Sequence, residues 1–118
     1  MIEFHHILRF IEGSMESGNF EDVVTLKYEC NIPSAPVVGL KIELNDIVSF
    51  EIMSVKYIAA EEVYETFSHI DLVEVEREIN DYLDKTYWVA KYVKAGFTVL
   101  SPGMMSRKQL EQAAKNVC

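Results

Sequence analysis

Apolar and polar residues alternate from the start of the chain, with Ile2, Phe4, His6, Leu8 and Phe10 on one side and Glu3, His5, Ile7 and Arg9 on the other. A period of two belongs to a strand with one face on a core, so residues 2–11 are expected to be extended. Glu12 to Glu21 is polar, contains two glycines and reads as a long mobile loop. The alternation returns with Val24, Leu26, Tyr28 and Cys30, stops at Pro33 and Pro36, and resumes with Val38, Leu40, Ile42 and Leu44. Asn45 and Asp46 both tolerate the positive φ of a two-residue hairpin turn, which places a turn between the third and fourth strands. Along the fourth strand, residues 47–57, Val48, Phe50 and Ile52 are in phase, but Met53, Val55 and Tyr57 have the opposite phase. A slip of one residue implies a bulge or sharp bend near Ile52. A fifth strand over 63–69 follows Ala59-Ala60.

After Ile70 the period lengthens to about 3.5, with Leu72, Val75, Ile79, Tyr82, Thr86, Val89 and Val93 recurring at three- and four-residue steps. The spacing predicts a long helix over about 71–95. Asp71 with Glu74 makes a capping-box variant, and Lys91, Lys94 and Gly96 supply a basic last turn and a stop. Two rival readings exist: a further strand through Val73, Val75 and Ile79, or a helix broken between Asn80 and Thr86. Phe97 to Leu100 suits a sixth strand. Ser106 can cap a short C-terminal helix, about 105–117, with Leu110, Ala113, Ala114 and Val117 on one stripe. The expected fold is therefore α+β, a single domain over 1–118: an N-terminal antiparallel, curved sheet of five to six strands packed by the long helix and the short one.

The chain's 118 residues are 49% hydrophobic and 25% charged, ordinary for one globular domain. Such a chain can bury roughly two thirds of its unfolded surface and needs no metal or disulfide staple. Nineteen acids and eleven bases give a net charge of −8, which repels nucleic-acid backbones unless the bases are segregated. They are segregated: residues 86–118 carry one acid and five bases, while 61–85 carry nine acids and two bases. Acids early and bases late in one helix also suit its dipole, so this gradient has a structural cause. Two cysteines, Cys30 and Cys118, with no basic apolar leader, point to a reducing cytoplasm. No apolar run reaches the length of about 18 residues that spans a bilayer. Neither a nucleic acid nor a membrane is an expected partner.

Several constellations could carry chemistry. Thr98 to Lys108 joins a strand, a Ser-Pro-Gly turn and a helix start, where free N–H groups with Ser106, Arg107 and Lys108 could hold a phosphate or carboxylate. The phosphate-loop and dinucleotide spacings are both absent there, and an ordinary capped helix is the competing account. Trp88, Lys91 and Tyr92, neighbours at three- and four-residue spacing, could stack a base and neutralise its phosphate. The same aromatics also suit core or dimer contacts. His5, His6, His69 and Cys30 lack the paired spacing of a zinc site, and His5 and His6 point to opposite faces of a strand, so no metal site is assigned. Cys30 could meet His6 across neighbouring strands as a nucleophile and base, but no catalytic signature accompanies them. No catalytic residue and no cofactor is assigned. Glu61, Glu62, Glu65, Glu74, Glu78 and Asp81 form an acidic stretch that could dock a basic protein.

Several strands followed by two helices in this length resembles, in architecture alone, small phage-encoded proteins that sequester host signals or inhibit host enzymes. The reading that ranks first is a non-enzymatic cytosolic binding protein acting through protein–protein contacts, self-association included, as an inhibitor or immunity-type protein of a phage or mobile element would. The alternative is a small-molecule binder that sequesters a phosphorylated or nucleotide ligand near the C-terminal helices, through Trp88, Lys91, Tyr92, Ser106, Arg107 and Lys108.

Overall fold

The computed structural model describes residues 1–14, 16–79 and 85–117, and for 76–79 the backbone only. Ten elements follow in chain order: β1 (Ile2–Ser14), β2 (Asn19–Ile32), β3 (Lys41–Glu43), β4 (Ser49–Glu51), β5 (Ser54–Ile58), β6 (Val63–Asp71), α1 (Leu72–Ile79), α2 (Lys85–Lys94), β7 (Thr98–Pro102) and α3 (Arg107–Ala114). Five strands form one sheet in the order β5-β6-β1-β2-β7, and β3 and β4 form a second, two-stranded sheet. The class is α+β. The main sheet is mixed rather than wholly antiparallel, because β6 runs parallel to β1 from Phe4 opposite Tyr64 to Ile11 opposite Asp71. Alternation along a strand reports which face is buried, not the direction of the neighbour, so the residue pattern could not distinguish the two.

The alternating residues of β1 behave as their pattern requires. Phe4, Leu8 and Phe10 are fully buried and meet Leu26 and Val24 of β2, Phe50 of β4, Val89 and Tyr92 of α2, and Leu110 of α3 in one core. The small sheet and the helices thus cover one face of the main sheet. Glu12 to Glu21, expected as a loop, is mostly paired: β1 continues to Ser14 opposite Asn19. Beyond Ile11 no third strand among the described residues lies beside this ribbon, so neither face needs an apolar row. Gly13 sits there at φ 129°, and a Cβ at that position would press on the Asn19 carbonyl.

The phase slip near Ile52 marks the point where the chain changes sheets. The Ile52 amide donates to Leu40 beside the small sheet (2.9 Å), and the Met53 amide donates to Phe67 in the main one (2.9 Å). The Asn45-Asp46 turn is present but longer than expected. Leu44 N–H donates to Val48 (2.9 Å), and Asn45 Oδ1 accepts from the amides of Ile47 (2.8 Å) and Val48 (2.7 Å). An Asx turn makes positive φ unnecessary, and Glu62, in the β5–β6 turn, is the non-glycine residue with positive φ among those described.

The helix expected over 71–95 is described as α1 and α2; residues 80–84, where the rival reading put a break, lie outside the described residues. Asp71 Oδ1 accepts the Val73 amide (2.9 Å) and so caps α1. α2 ends in a Schellman arrangement: Phe97 N–H donates to Tyr92 and Gly96 N–H to Val93, both at 3.1 Å, with Gly96 at φ 123°. No helix among the described residues is long and apolar enough to cross a membrane.

Candidate functional site

β6 ends beside β1 and turns directly into α1, and a cleft of about 740 Å³ opens at that junction. Its apolar lining is Ile11, Met53, Ile70, Val73 and Val75; its ionisable lining is Glu16, His69, Asp71 and Glu74. Lysine and arginine are absent from the described lining, so the cleft favours positive charge. Asp71 holds its shape: the Oδ1 that caps α1 also accepts the Gly13 amide (3.3 Å), joining the helix start to the β1–β2 ribbon. Lys85 Nζ, 2.9 Å from Glu12 Oε1, ties the start of α2 to the same ribbon.

A second cleft of about 310 Å³ adjoins the first, and Met53, His69, Ile70 and Val75 line both. Trp88, Tyr92, Lys41 and Ser68 line it too, with Ser49, Phe50 and Glu51 of β4. The two together form one groove, acidic at the α1 end and aromatic at the α2 end.

The six residues expected to bind a ligand are divided among three places. Trp88 and Tyr92 line the aromatic end of the groove, but both also serve the core. Tyr92 is 3% exposed, stacks edge-on against Phe10 (5.3 Å) and Phe97 (5.6 Å), and donates its hydroxyl to the Ser49 carbonyl (3.2 Å). Burial pushes its phenol up to about 12. Trp88 is half-buried, edge-on to Phe10 at 5.8 Å. Lys91 belongs to a separate cleft of about 280 Å³, which it lines with Lys94, Val117 and the Asn45 turn. Its Nζ lies 5.2 Å from the centre of the Tyr87 ring.

Ser106, Arg107 and Lys108 line neither part of the groove. Ser106 Oγ accepts the Gln109 amide (3.1 Å), and Gln109 Oε1 accepts the Ser106 amide (2.9 Å), a complete capping box. Arg107 donates to the Val99 carbonyl (2.9 Å), which fastens α3 to β7. Lys108 is exposed. Ser106 thus serves the cap of its own helix and Arg107 the junction with β7.

His6 is paired in register with Tyr28, whereas Cys30 is paired with Phe4. The hydrogen bonds of His6 go instead to β6, with Nδ1 2.7 Å from Thr66 Oγ1 and Nε2 2.6 Å from Ser68 Oγ. One ring nitrogen donates and the other accepts. The ring stacks on Phe50 at 3.9 Å, and burial pushes its pKa down to about 3. Ser68 beside an imidazole has the outline of a nucleophile and base, but a histidine titrating near 3 is a feeble base at neutral pH. Thr66 is uncharged and cannot stabilise an imidazolium as a carboxylate does. Burial raises the Cys30 thiol, which disfavours the thiolate a nucleophile needs.

Glu61 and Glu62 are exposed in the β5–β6 turn, Glu65 is half-buried, and Glu74 joins the groove; Asp81 and the Glu78 side chain lie outside the described residues. Sequence reasoning missed Met53, His69 and Lys41 as groove residues and saw Asp71 only as a cap. The available signal was His69, Asp71 and Glu74 crossing a strand-to-helix junction, but its meaning depends on β1 lying parallel alongside. Comparison with protein-family models, with curated proteins and with solved structures returned no match.

Proposed function

We propose that this chain is a small cytosolic, non-enzymatic binding protein that acts through protein–protein contacts, and that its groove receives a basic segment of the partner. The observation carrying this reading is the lining of the larger cleft: Glu16, Asp71 and Glu74 around an apolar floor, with no lysine or arginine among the described lining residues. A lysine or arginine side chain offers an apolar stem for Met53 and Ile70 and a charged head for the carboxylates. The net charge of −8 favours approach of such a segment over long range. Ser68 has only His6, a weak base, beside it, which weighs against a hydrolase built on that pair. An inhibitor or immunity-type protein would hold its target in this way.

Trp88 is the one tryptophan and lines the groove, so its emission reports occupancy. Titration with a Lys/Arg-rich peptide is expected to give a saturable change that an Asp/Glu-rich peptide does not. Glu74→Lys, at an exposed position, is expected to weaken it about tenfold, a difference of about 1.4 kcal/mol. Equal responses to the two peptides, or none, would overturn the reading.

A second reading, sequestration of a phosphorylated or nucleotide ligand, is favoured by Trp88 and Lys41 lining the same cleft. Native mass spectrometry of freshly purified protein separates the two. A retained small-molecule mass supports sequestration, and a bare assembly of several chains supports self-association as one of the protein contacts.

A further inference from the structure

We infer that Glu3, His5 and Glu29 form a site for a divalent transition ion of the zinc or nickel class, on the face of the main sheet turned away from the core. The register of β1 against β2 sets His5 opposite Glu29. Glu3, two residues before His5, projects from the same face. One donor atom from each residue lies within 4.8 Å of the others, and among the described residues this is the group of three potential ligands so placed. His5 Nε2 and Glu3 Oε1 are already 3.1 Å apart. An ion held at bond lengths of about 2.0–2.2 Å needs donors roughly 3–4 Å apart, so small side-chain rotations complete the triangle.

The imidazole separates this group from an ordinary acidic patch. One nitrogen and two carboxylate oxygens suit zinc, nickel or cobalt, whereas calcium and magnesium prefer oxygen alone. All three ligands stand in the β1–β2 ladder, and β6 pairs with β1 on the other side of His5, so the backbone beneath His5 is held from both sides before an ion arrives. Glu65 of β6 is the partner of His5 on its other side and adds negative charge to the same face. The opposing feature is Lys27, whose Nζ lies 3.8 Å from Glu29 Oε1 and competes for that carboxylate. Three protein ligands leave the remaining coordination positions to water.

The sequence hid the site because its ligands are 26 residues apart, between Glu3 and Glu29, and only strand register unites them. His6, the tempting second ligand, points into the core.

The test is calorimetric titration of Zn²⁺ and of Ni²⁺ into a Cys30→Ser, Cys118→Ser background, which removes thiolate binding. One ion per chain is expected. His5→Ala and Glu29→Gln are each expected to lower affinity by roughly tenfold or more, with His69→Ala unchanged and Lys27→Ala tighter. Circular dichroism of each variant checks that the fold is kept. Absence of binding in the parent, or a smaller loss in either ligand variant, would overturn the inference.

Discussion

His6 and Ser68 are 62 residues apart in the chain, yet His6 Nε2 lies 2.6 Å from Ser68 Oγ at the heart of the sheet. The contact follows from the parallel pairing of β1 with β6, which puts His6 beside Thr66 and Leu8 beside Ser68. A buried imidazole with both nitrogens engaged by neutral hydroxyls is comfortable only without charge.

Stability should therefore fall as the solution is acidified. The unfolded chain's imidazole takes up a proton near pH 6.5, but the folded one resists until about 3, so over that window the unfolded state binds more protons. The slope attributable to His6 is at most about 1.4 kcal/mol per pH unit and acts between about pH 3 and 6.5; the stability it reflects is fully present above pH 6.5 and lost progressively below it. Carboxylates titrate too, so the measure is the difference between urea denaturation of the parent and of His6→Gln from pH 7 to 4. Identical slopes would show that His6 is not held neutral.

Ser68 is expected to remain unmodified by a fluorophosphonate probe at pH 7.5, because its histidine is too weak a base to activate it. Intact-mass analysis after prolonged incubation reads this directly. A stoichiometric adduct removed by Ser68→Ala would instead reveal an activated hydroxyl.

Tyr92 couples α2 to the small sheet through its hydroxyl and to the core through its ring. Tyr92→Phe should cost about 1 kcal/mol, the usual worth of one hydrogen bond, and Tyr92→Ala about 3–5 kcal/mol through the cavity it leaves. Thermal unfolding followed by circular dichroism distinguishes these steps. In the parent, ultraviolet titration should show the Tyr92 phenol ionising only near pH 12.

Ser106 was attractive as an anion ligand, yet its hydroxyl and amide are both engaged with Gln109. Ser106→Ala should lower stability by about 1 kcal/mol. Phosphate should leave the melting temperature of the parent unchanged, and a phosphate-dependent rise abolished in Ser106→Ala would restore the anion site.

Local chemistry was the legible part of this sequence. The β1 alternation, the slip at Ile52, the Gly96 stop and the Ser106 cap each depend on a few adjacent residues, and each appears in the fold. The direction of β6 and the assembly of the groove depend on neighbours some 60 residues away, and no local period encodes them; the pairing beyond Ile11 is local, but its ribbon carries no apolar row to announce it. The same division explains the candidate site. Trp88 and Tyr92 were visible as a helical pair, but their company of Met53, His69 and Lys41 arises only when three separate strands and loops converge.

The parallel union of β1 and β6 also bears on biosynthesis. During translation the first strand can zip to its hairpin partner early, but its other edge stays bare until residue 71 has emerged. A chain cut short before that point exposes a ready template for pairing with other nascent or truncated copies. Premature termination should accordingly yield insoluble fragments rather than a smaller working domain.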